Sequence, residues 1–356
     1  MRSTRVPPAG LSTRGLFASN RGCRLRTRMG ERALSSWMLV WLGAAVACGS
    51  GQDDVGATPP SAEDDDENWP QTSGGMTTDA ASSGESSGAH EDASGSTGPE
   101  LPTSRCVVGP DTITCAHQTV TLFTGPSGAV PREVHWQVPL GEPPASGWPA
   151  VFVFQGSLFT AELFWTAVNT DAFGYWNQGL LTKALLDAGF AVITPEAQFE
   201  GNTAWETNIP PMSLAWEQSN DHAFMLDLFA ELDAGTFGSL DVAALYATGI
   251  SSGGYMTSRM DEAYRTRFRA LAIQSGSYAT CGGPACVVPT DLSSAHRPTL
   301  FLHGAADVVV PVWTMELYRD ALDAAGAETQ TIIADAVGHA WIDEAPAAIV
   351  TWFESH

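Results

Sequence analysis

The feature that most constrains the fold is an alternation of short apolar runs with helical patterns, which begins near residue 149. The apolar runs have the length of buried strands and occur at Ala150–Phe154, Ala191–Thr194, Val242–Thr248, Ala270–Gln274, Thr299–His303 and Gln330–Ala334. The helical patterns lie between or after them, at Gly179–Ala188, Ala223–Leu232, Ser252 towards Tyr264, Val312–Ala325 and Ile342–Phe353. Strands and helices that alternate in this way predict an α/β fold, a mostly parallel sheet covered on both faces.

Residues 101–356 are predicted to form a single α/β catalytic domain, since such folds often contain about 250 residues in one domain. Near its start, Thr119–Phe123 and Arg132–Val138 predict an antiparallel hairpin. The whole 356-residue chain holds 40 acidic and 17 basic residues, so its net charge is −23. This balance argues against nucleic-acid binding, which needs clustered Lys and Arg, and favours a soluble monomer.

Residues 1–48 predict an export leader. An arginine-rich stretch precedes the uncharged run Trp37–Ala47. That run is too short to span a bilayer, which needs about 20 residues, and is typical of a signal-peptide core. The stretch before it is unusually long, and Met29 is an alternative start that the sequence does not distinguish from Met1.

The cleavage region Ala45-Val46-Ala47-Cys48 has two interpretations. Ala45-x-Ala47 suits an ordinary signal peptidase, whereas small residues before Cys48 resemble a bacterial lipobox and would make Cys48 the lipidated residue of a surface lipoprotein. Removal of the leader leaves an odd number of cysteines, which favours lipidation of Cys48 over a free thiol.

The other four cysteines predict two disulfides, and they are Cys106, Cys115, Cys281 and Cys286. Local pairing, first with second and third with fourth, suits an exported protein. Four cysteines still permit three connectivities. A zinc site formed by Cys106, Cys115 and His117 is a weaker alternative, because the close cysteine pair of structural zinc sites is missing.

Residues 49–100 predict a disordered acidic tether. Ser, Gly, Thr, Asp and Glu dominate this segment, which cannot bury enough apolar surface to offset its ordering entropy. Its like charges repel and extend the chain, as suits an enzyme anchored by lipid. Calcium binding at Asp64-Asp65-Asp66 is a weaker alternative, since the spacing of calcium ligands is missing.

The sequence Gly249-Ile250-Ser251-Ser252-Gly253 follows a predicted strand and precedes a predicted helix. A bare G-x-S-x-G motif matches turns by chance. Between a strand and a helix, however, it predicts a nucleophilic serine on a sharp turn, whose glycines let the strand and helix approach closely. Ser251 is therefore the predicted nucleophile.

A serine nucleophile needs a base, and the base needs an acid to orient it. Asp307 follows the predicted strand Thr299–His303, and His339 follows the last predicted strand, so both lie on loops at the carboxyl edge of the sheet. Asp335 is too close to His339 in sequence to be the favoured acid. His303 is predicted to shape a turn.

The predicted oxyanion hole consists of two backbone N–H groups, those of Ser252 and Ser157. Ser252 follows the nucleophile, and Ser157 lies on the loop after the first strand of the alternating pattern. Gly156, which follows Gln155, lets the backbone of this loop approach a substrate.

The sequence resembles the extracellular medium-chain-length polyhydroxyalkanoate depolymerases of the α/β-hydrolase superfamily, most specifically from Gly249 to Met260 and at Asp307 and His339. The resemblance covers residues 101–356. It implies hydrolysis of a polyester by Ser251, Asp307 and His339, with no metal, no organic cofactor and no separate polymer-binding domain.

Apolar side chains on the loops after the first two core strands are candidates for substrate binding. These loops carry Leu158, Phe159, Phe164, Trp165, Phe173, Tyr175, Trp176, Phe199, Trp205, Ile209, Met212 and Trp216. The substrate-binding residues predicted from this set are Phe159, Trp165, Trp176, Trp205 and Trp216. Packing of the same aromatics in a lid or core is an equal alternative.

Two other functions remain open. One is a different carboxylesterase on the same fold, such as a feruloyl or acetyl-xylan esterase. The other is an inactive lipid-anchored binding protein, against which the complete set of Ser251, Asp307 and His339 argues. Peptidase activity has no supporting feature.

Overall fold

The structure, a computed structural model, describes residues 103–125, 130–198, 203–282 and 286–356. The predicted leader 1–48, the lipidation site Cys48 and the tether 49–100 lie outside the described residues. No helix in the described part of the chain is both long and apolar enough to cross a bilayer.

Eleven strands and five α-helices occur among the described residues. The strands are β1 Cys106–Val108, β2 Thr112–Cys115, β3 Gln118–Thr124, β4 Val130–Gln137, β5 Trp148–Phe154, β6 Thr166–Val168, β7 Ala191–Pro195, β8 Leu240–Ile250, β9 Phe268–Gln274, β10 Thr299–Gly304 and β11 Thr329–Ala334. The helices are α1 Tyr175–Asp187, α2 Asn220–Asp233, α3 Ser252–Tyr264, α4 Val312–Ala325 and α5 Ala345–Glu354.

Eight of these strands form the main sheet, in the order β11-β10-β9-β8-β5-β7-β4-β3. Strands β7, β5, β8, β9, β10 and β11 pair in parallel. Strand β4 joins β7 in antiparallel fashion, and β3 forms a hairpin with β4. The mostly parallel sheet and the antiparallel hairpin are both confirmed.

Strand β5 shows how the sheet separates two layers of core. Val151 and Val153 belong to the core that includes side chains of α1 and α5. Phe152 and Phe154 belong to the opposite core, which includes side chains of α2 and α3. A strand buried on both faces reads as a continuous apolar run, and full burial of one large side chain contributes about 1.5–3 kcal/mol. These layers fix the carboxyl ends of the strands, where the candidate site lies.

Helices α1, α2 and α5 begin at residues other than those predicted, and α2 begins at Asn220 rather than Ala223. Helix α1 begins before Gly179, at Tyr175, directly after Gly174, whose φ is 68°. Helix α5 begins at Ala345 rather than Ile342, because Pro346 lies in its first turn, where proline favours helix initiation. Helix α4 has the predicted bounds.

A small second sheet, in the order β1-β2-β6, was not predicted. Within it, Cys106 lies opposite Cys115 and is joined to it by a disulfide. Cys281 and Cys286 form the second disulfide, so the predicted local pairing is confirmed. The zinc interpretation of Cys106 and Cys115 is wrong, because each sulfur is bonded to the other.

Candidate active site

Ser251 lies on the sharp turn between β8 and α3, with φ 57° and ψ −120°. A non-glycine residue in such a conformation costs about 1–3 kcal/mol and persists only where its surroundings hold it. Here the Ser251 N–H donates to Gln274 O at 3.1 Å, and Ser251 O accepts from Tyr255 N–H at 3.0 Å. The turn therefore holds the serine at the carboxyl end of the central strand.

The glycines of the motif are required by close backbone contacts. A Cβ atom on Gly253 would lie 2.0 Å from Phe154 O, and one on Gly249 would lie 2.5 Å from Gly253 O. Both distances are far below van der Waals contact. The start of α3 thus packs against the end of β5 at a separation that only glycine permits.

Asp307 and His339 form a hydrogen-bonded pair on the loops after β10 and β11. His339 Nδ1 lies 2.8 Å from Asp307 Oδ2. Because a carboxylate only accepts, Nδ1 carries the proton and Nε2 is left with a free lone pair. Asp307 Oδ1 accepts from the N–H groups of Val309 and Val310 at 2.9 and 2.8 Å. The carboxylate is thereby fixed from both sides.

Burial by itself would raise the pKa of Asp307, but its hydrogen bonds with His303 and His339 hold that pKa well below its ordinary value. His303 Nε2 lies 3.4 Å from Asp307 Oδ2 and 2.8 Å from Val310 O. The sequence predicted only a turn role for His303. Its position four residues before Asp307 was the available signal. Asp335, the competing acid, is exposed.

The loops that carry Asp307 and His339 are joined by backbone contacts. Ala305 N–H donates to Ala334 O, and Ala306 N–H donates to Val337 O, both at 2.9 Å. A Cβ atom on Gly304 would lie 2.3 Å from Val337 O, so this approach also needs glycine. The acid and the imidazole are therefore held together by their main chains.

Gln274 connects the serine turn to the histidine loop. Its main-chain oxygen accepts from Ser251 N–H, and its buried side chain donates from Nε2 to Ala340 O at 2.9 Å. Within the described ranges, no hydrogen bond of 3.5 Å or less joins Ser251 Oγ to His339. Catalytic hydrogen bonds are often long before substrate binds and tighten in the complex.

The two predicted oxyanion donors belong to the start of α3 and to the loop after β5. Ser252 is the first residue of α3, and its hydroxyl accepts from Trp205 N–H at 3.1 Å. Ser157 lies after Gly156, where an added Cβ would be 3.7 Å from Ser251 Cβ. Leu158 N–H donates to Thr203 O at 2.7 Å and is not available to a substrate.

The Gln155 side chain holds this loop rather than facing a substrate. It is buried, its Nε2 donates to Phe159 O and to Glu196 Oε1, and its Oε1 accepts from Ala197 N–H at 3.2 Å. Burial raises the pKa of Glu196, although hydrogen bonds from Ala161 N–H and Gln155 oppose that effect. Gln155 therefore positions the loop that carries Ser157.

Three of the five aromatics predicted to bind substrate are core residues. Trp165 and Trp205 are fully buried and Trp216 is 5% exposed. Their indole N–H groups donate within the protein, to Thr194 Oγ1, Gln155 O and Tyr264 Oη respectively. These rings offer almost no surface to a ligand. The expectation that they contact substrate is therefore wrong, and they pack in the core instead.

The other two, Phe159 and Trp176, are half-buried. Phe159 packs 5.6 Å from Phe173, measured between ring centroids. Phe173 is 40% exposed, and its ring lies 6.1 Å from that of His339. The apolar surface beside the imidazole is therefore centred on Phe173, which was among the loop aromatics but not among the five predicted to bind substrate.

No family model matches the chain. A poly(3-hydroxyoctanoate) depolymerase from Pseudomonas fluorescens is 46% identical over 252 residues, which are 71% of this chain and 89% of that protein. Among solved structures, an acetyl xylan esterase from Aspergillus awamori has a TM-score of 0.50 and 19% identity, over 68% of this chain and 100% of that one.

The fold, which that solved structure shares, is of the α/β-hydrolase class. The identity to the depolymerase shows that the chain is a carboxylic ester hydrolase. Its identity to the depolymerase covers most of both sequences. The chain belongs to the family of medium-chain-length polyhydroxyalkanoate depolymerases, and the resemblance found in its sequence is confirmed.

Proposed function

We propose that this protein hydrolyses the ester bonds of a medium-chain-length polyhydroxyalkanoate through a triad of Ser251, His339 and Asp307. The observation that carries the proposal is the 2.8 Å pair of His339 Nδ1 with a buried, ionised Asp307, at the same sheet edge as the strained Ser251. A serine nucleophile requires a base that is oriented by an acid in this way.

In the first step, His339 Nε2 takes the proton of Ser251 as Oγ attacks the ester carbonyl carbon. Asp307 stabilises the imidazolium that forms and keeps its Nδ1 proton directed away from the serine. The tetrahedral oxyanion accepts from Ser252 N–H and Ser157 N–H. The start of α3 adds favourable backbone dipoles at the same point.

The intermediate then collapses. The carbon–oxygen bond to the leaving hydroxyacyl unit breaks, and the imidazolium gives its proton to the departing oxygen. In the second half of the reaction, His339 takes a proton from a water molecule as its oxygen attacks the acyl carbon. The bond from that carbon to Ser251 Oγ then breaks, and the imidazolium returns the proton to Oγ, which frees the acid and the serine. His339 therefore carries every proton moved in this sequence.

A substrate with longer side chains is supported by the apolar surface beside His339. Phe173 and Phe159 pack together there. Leu158, next to Phe159 in sequence, is half exposed, and Val308, next to Asp307 in sequence, is mostly exposed. Each buried methylene contributes about 0.8 kcal/mol to binding in such a site. The name of the Pseudomonas fluorescens relative specifies a poly(3-hydroxyoctanoate) substrate.

Export followed by lipid anchoring at Cys48 is the localisation we propose, with the chain acting as a monomer. The two disulfides support an oxidising compartment. A labelled fatty acid incorporated by the wild-type chain, and not by Cys48→Ala, would support the anchor. Release of unlabelled wild-type protein into the medium would favour free secretion.

The deciding experiment measures soluble hydroxyacid released from poly(3-hydroxyoctanoate) and from poly(3-hydroxybutyrate). We expect faster release from the longer side chain and no release by Ser251→Ala, which should keep its fold by circular dichroism. Labelling of wild type by a serine-reactive phosphonate provides an independent test of the nucleophile. Activity confined to acetyl or feruloyl sugar esters would overturn the polymer assignment.

The role of Phe173 is tested by comparing a polymer with a soluble short ester. We expect Phe173→Ala to lose about tenfold in polymer hydrolysis while keeping most of its activity on the short ester, since the loss of apolar contact affects binding of the chain. Phe123→Ala, at an exposed position on the edge strand β3, is the matched control.

A further inference from the structure

A second cluster of histidines and a carboxylate lies on the β3–β4 side of the sheet. It consists of His117 in the turn before β3, His135 on β4 and Glu162 in the short 3-10 turn Ala161–Phe164. One side-chain ligand atom from each lies within 4.8 Å of the others. Among the described residues, this is the one group of three such side chains so placed.

The spacing within the cluster suits a tetrahedral ion. Glu162 Oε2 lies 3.2 Å from His117 Nε2 and 3.5 Å from His135 Nδ1. With zinc bond lengths near 2.1 Å, two ligand atoms on a tetrahedron are roughly 3.4 Å apart. An ion bonded to both imidazoles and the carboxylate therefore needs only small side-chain movements.

The imidazoles are oriented as metal ligands usually are. His117 Nδ1 lies 3.2 Å from Cys115 O and donates to it, which leaves Nε2 as the nitrogen that can bind an ion in place of a proton. His135 is buried, and its Nδ1 lies on the side of the ring that faces Glu162 Oε2, at 3.5 Å. The Thr119 hydroxyl, 2.8 Å from His135 Nδ1, would turn away when an ion takes that lone pair.

A cavity of about 430 Å³ beside the cluster provides access for an ion. His135 and Glu162 line it, together with the acidic side chains of Glu133 and Glu196. Arg132 also lines it, but its guanidinium is paired with Asp221 at 2.9 Å. The charge of the cavity wall therefore attracts a cation.

We propose that His117, His135 and Glu162 bind one Zn²⁺ ion that stabilises the fold. Two imidazoles and one carboxylate favour zinc over calcium or magnesium, which prefer oxygen ligands alone. The ion would join the turn containing Glu162 to the edge of the main sheet. That turn follows the loop of Ser157, so the ion braces the segment that leads away from the oxyanion loop.

The test uses the full chain, treated with EDTA and exchanged into chelator-free buffer at neutral pH, and titrated with ZnCl₂ by calorimetry. We expect one zinc per chain at this site, and a weakening of at least about tenfold in both His117→Gln and Glu162→Gln. At about 100 times the Kd, Zn²⁺ should raise the Tm of wild type by about 5 °C or more, whereas CaCl₂ should not.

His356→Gln is the matched control, because His356 Nε2 lies 3.3 Å from Glu328 Oε1 in a comparable surface pair. It should bind Zn²⁺ as wild type does. Glu162 is half exposed, so Glu162→Gln keeps the test decisive should His117→Gln fold poorly. Wild-type binding or Tm shift in Glu162→Gln, or no binding by the EDTA-treated wild type, would overturn the site.

Discussion

Two regions of this molecule combine two histidines with one carboxylate. They differ in which of these side chains is held in place by hydrogen bonds. At the candidate active site the carboxylate of Asp307 is fully buried and accepts from two backbone N–H groups. His339, at the outer end of that cluster, remains partly accessible. In the second region the histidines are the oriented members, and the Glu162 side chain is 49% exposed.

Each of the two arrangements supports a different chemistry. A buried and fixed carboxylate orients an imidazole whose other nitrogen faces the reaction, as proton transfer requires. Oriented imidazoles with a carboxylate that can move suit an ion that draws three ligands together. The same residue types therefore support different chemistry, because the carboxylate is the fixed side chain in one region and the imidazoles are fixed in the other.

The largest effect is expected for Asp307→Asn. An amide at this position leaves the geometry but favours the wrong tautomer of His339, and kcat should fall by about 10³–10⁴. Asp335→Asn, an exposed carboxylate four residues from His339, is the control and should keep activity within about twofold of wild type. Equal losses in the two variants would show that Asp307 is not the orienting acid.

The depressed pKa of Asp307 predicts a pH-dependent stability. A carboxylate whose folded pKa is lowered stabilises the protein above its ordinary pKa of about 4, and that contribution is lost as the pH falls towards the folded value. At pH 5, Asp307→Asn should lower the free energy of unfolding by about 1.5–3 kcal/mol. Urea unfolding should show this difference shrinking between pH 5 and pH 2.5. A constant difference would contradict an ionised Asp307 bound to His303 and His339.

Much of the fold could be predicted because its strands are buried on both faces. Runs such as Ala150–Phe154 are then apolar throughout, and the helices between them follow a clear period. The small sheet escaped prediction, since β1, β2 and β6 have three or four residues each. Strand β6 also pairs with the distant β2, and such pairing leaves no local pattern.

Residues of the candidate site could be predicted where they follow strands. They could not be predicted where their role depends on whether the side chain is buried. Ser251, Asp307 and His339 each follow a recognisable strand, so a parallel topology brings them to one edge. Burial of Trp165 and Trp205 depends on partners for their indole N–H groups, which lie far away in sequence. The contact of His303 with Asp307 depends on a side-chain direction that spacing does not specify.

A smaller effect is expected for His303→Leu. This change removes a donor near the Asp307 carboxylate, and a hydrogen bond to a charged group contributes about 1.5 kcal/mol, which is about tenfold in rate. His303→Gln, which keeps an N–H of similar reach, should recover much of the loss. Steady-state kcat on a soluble ester, measured beside Tm, distinguishes positioning from unfolding. Two variants with equal kcat would assign His303 to packing alone.

The smallest effect is expected for Glu162→Gln in the metal-free protein. A half-exposed carboxylate is screened by water, and such pairs contribute about 0–1 kcal/mol to stability. Urea unfolding after EDTA treatment should therefore differ from wild type by less than about 1 kcal/mol, and esterase activity should follow stability. A loss as large as that of Asp307→Asn would mean that Glu162 is as firmly fixed as Asp307. Both regions would then hold their carboxylate in place, and the contrast between a fixed acid in one and fixed imidazoles in the other would be wrong.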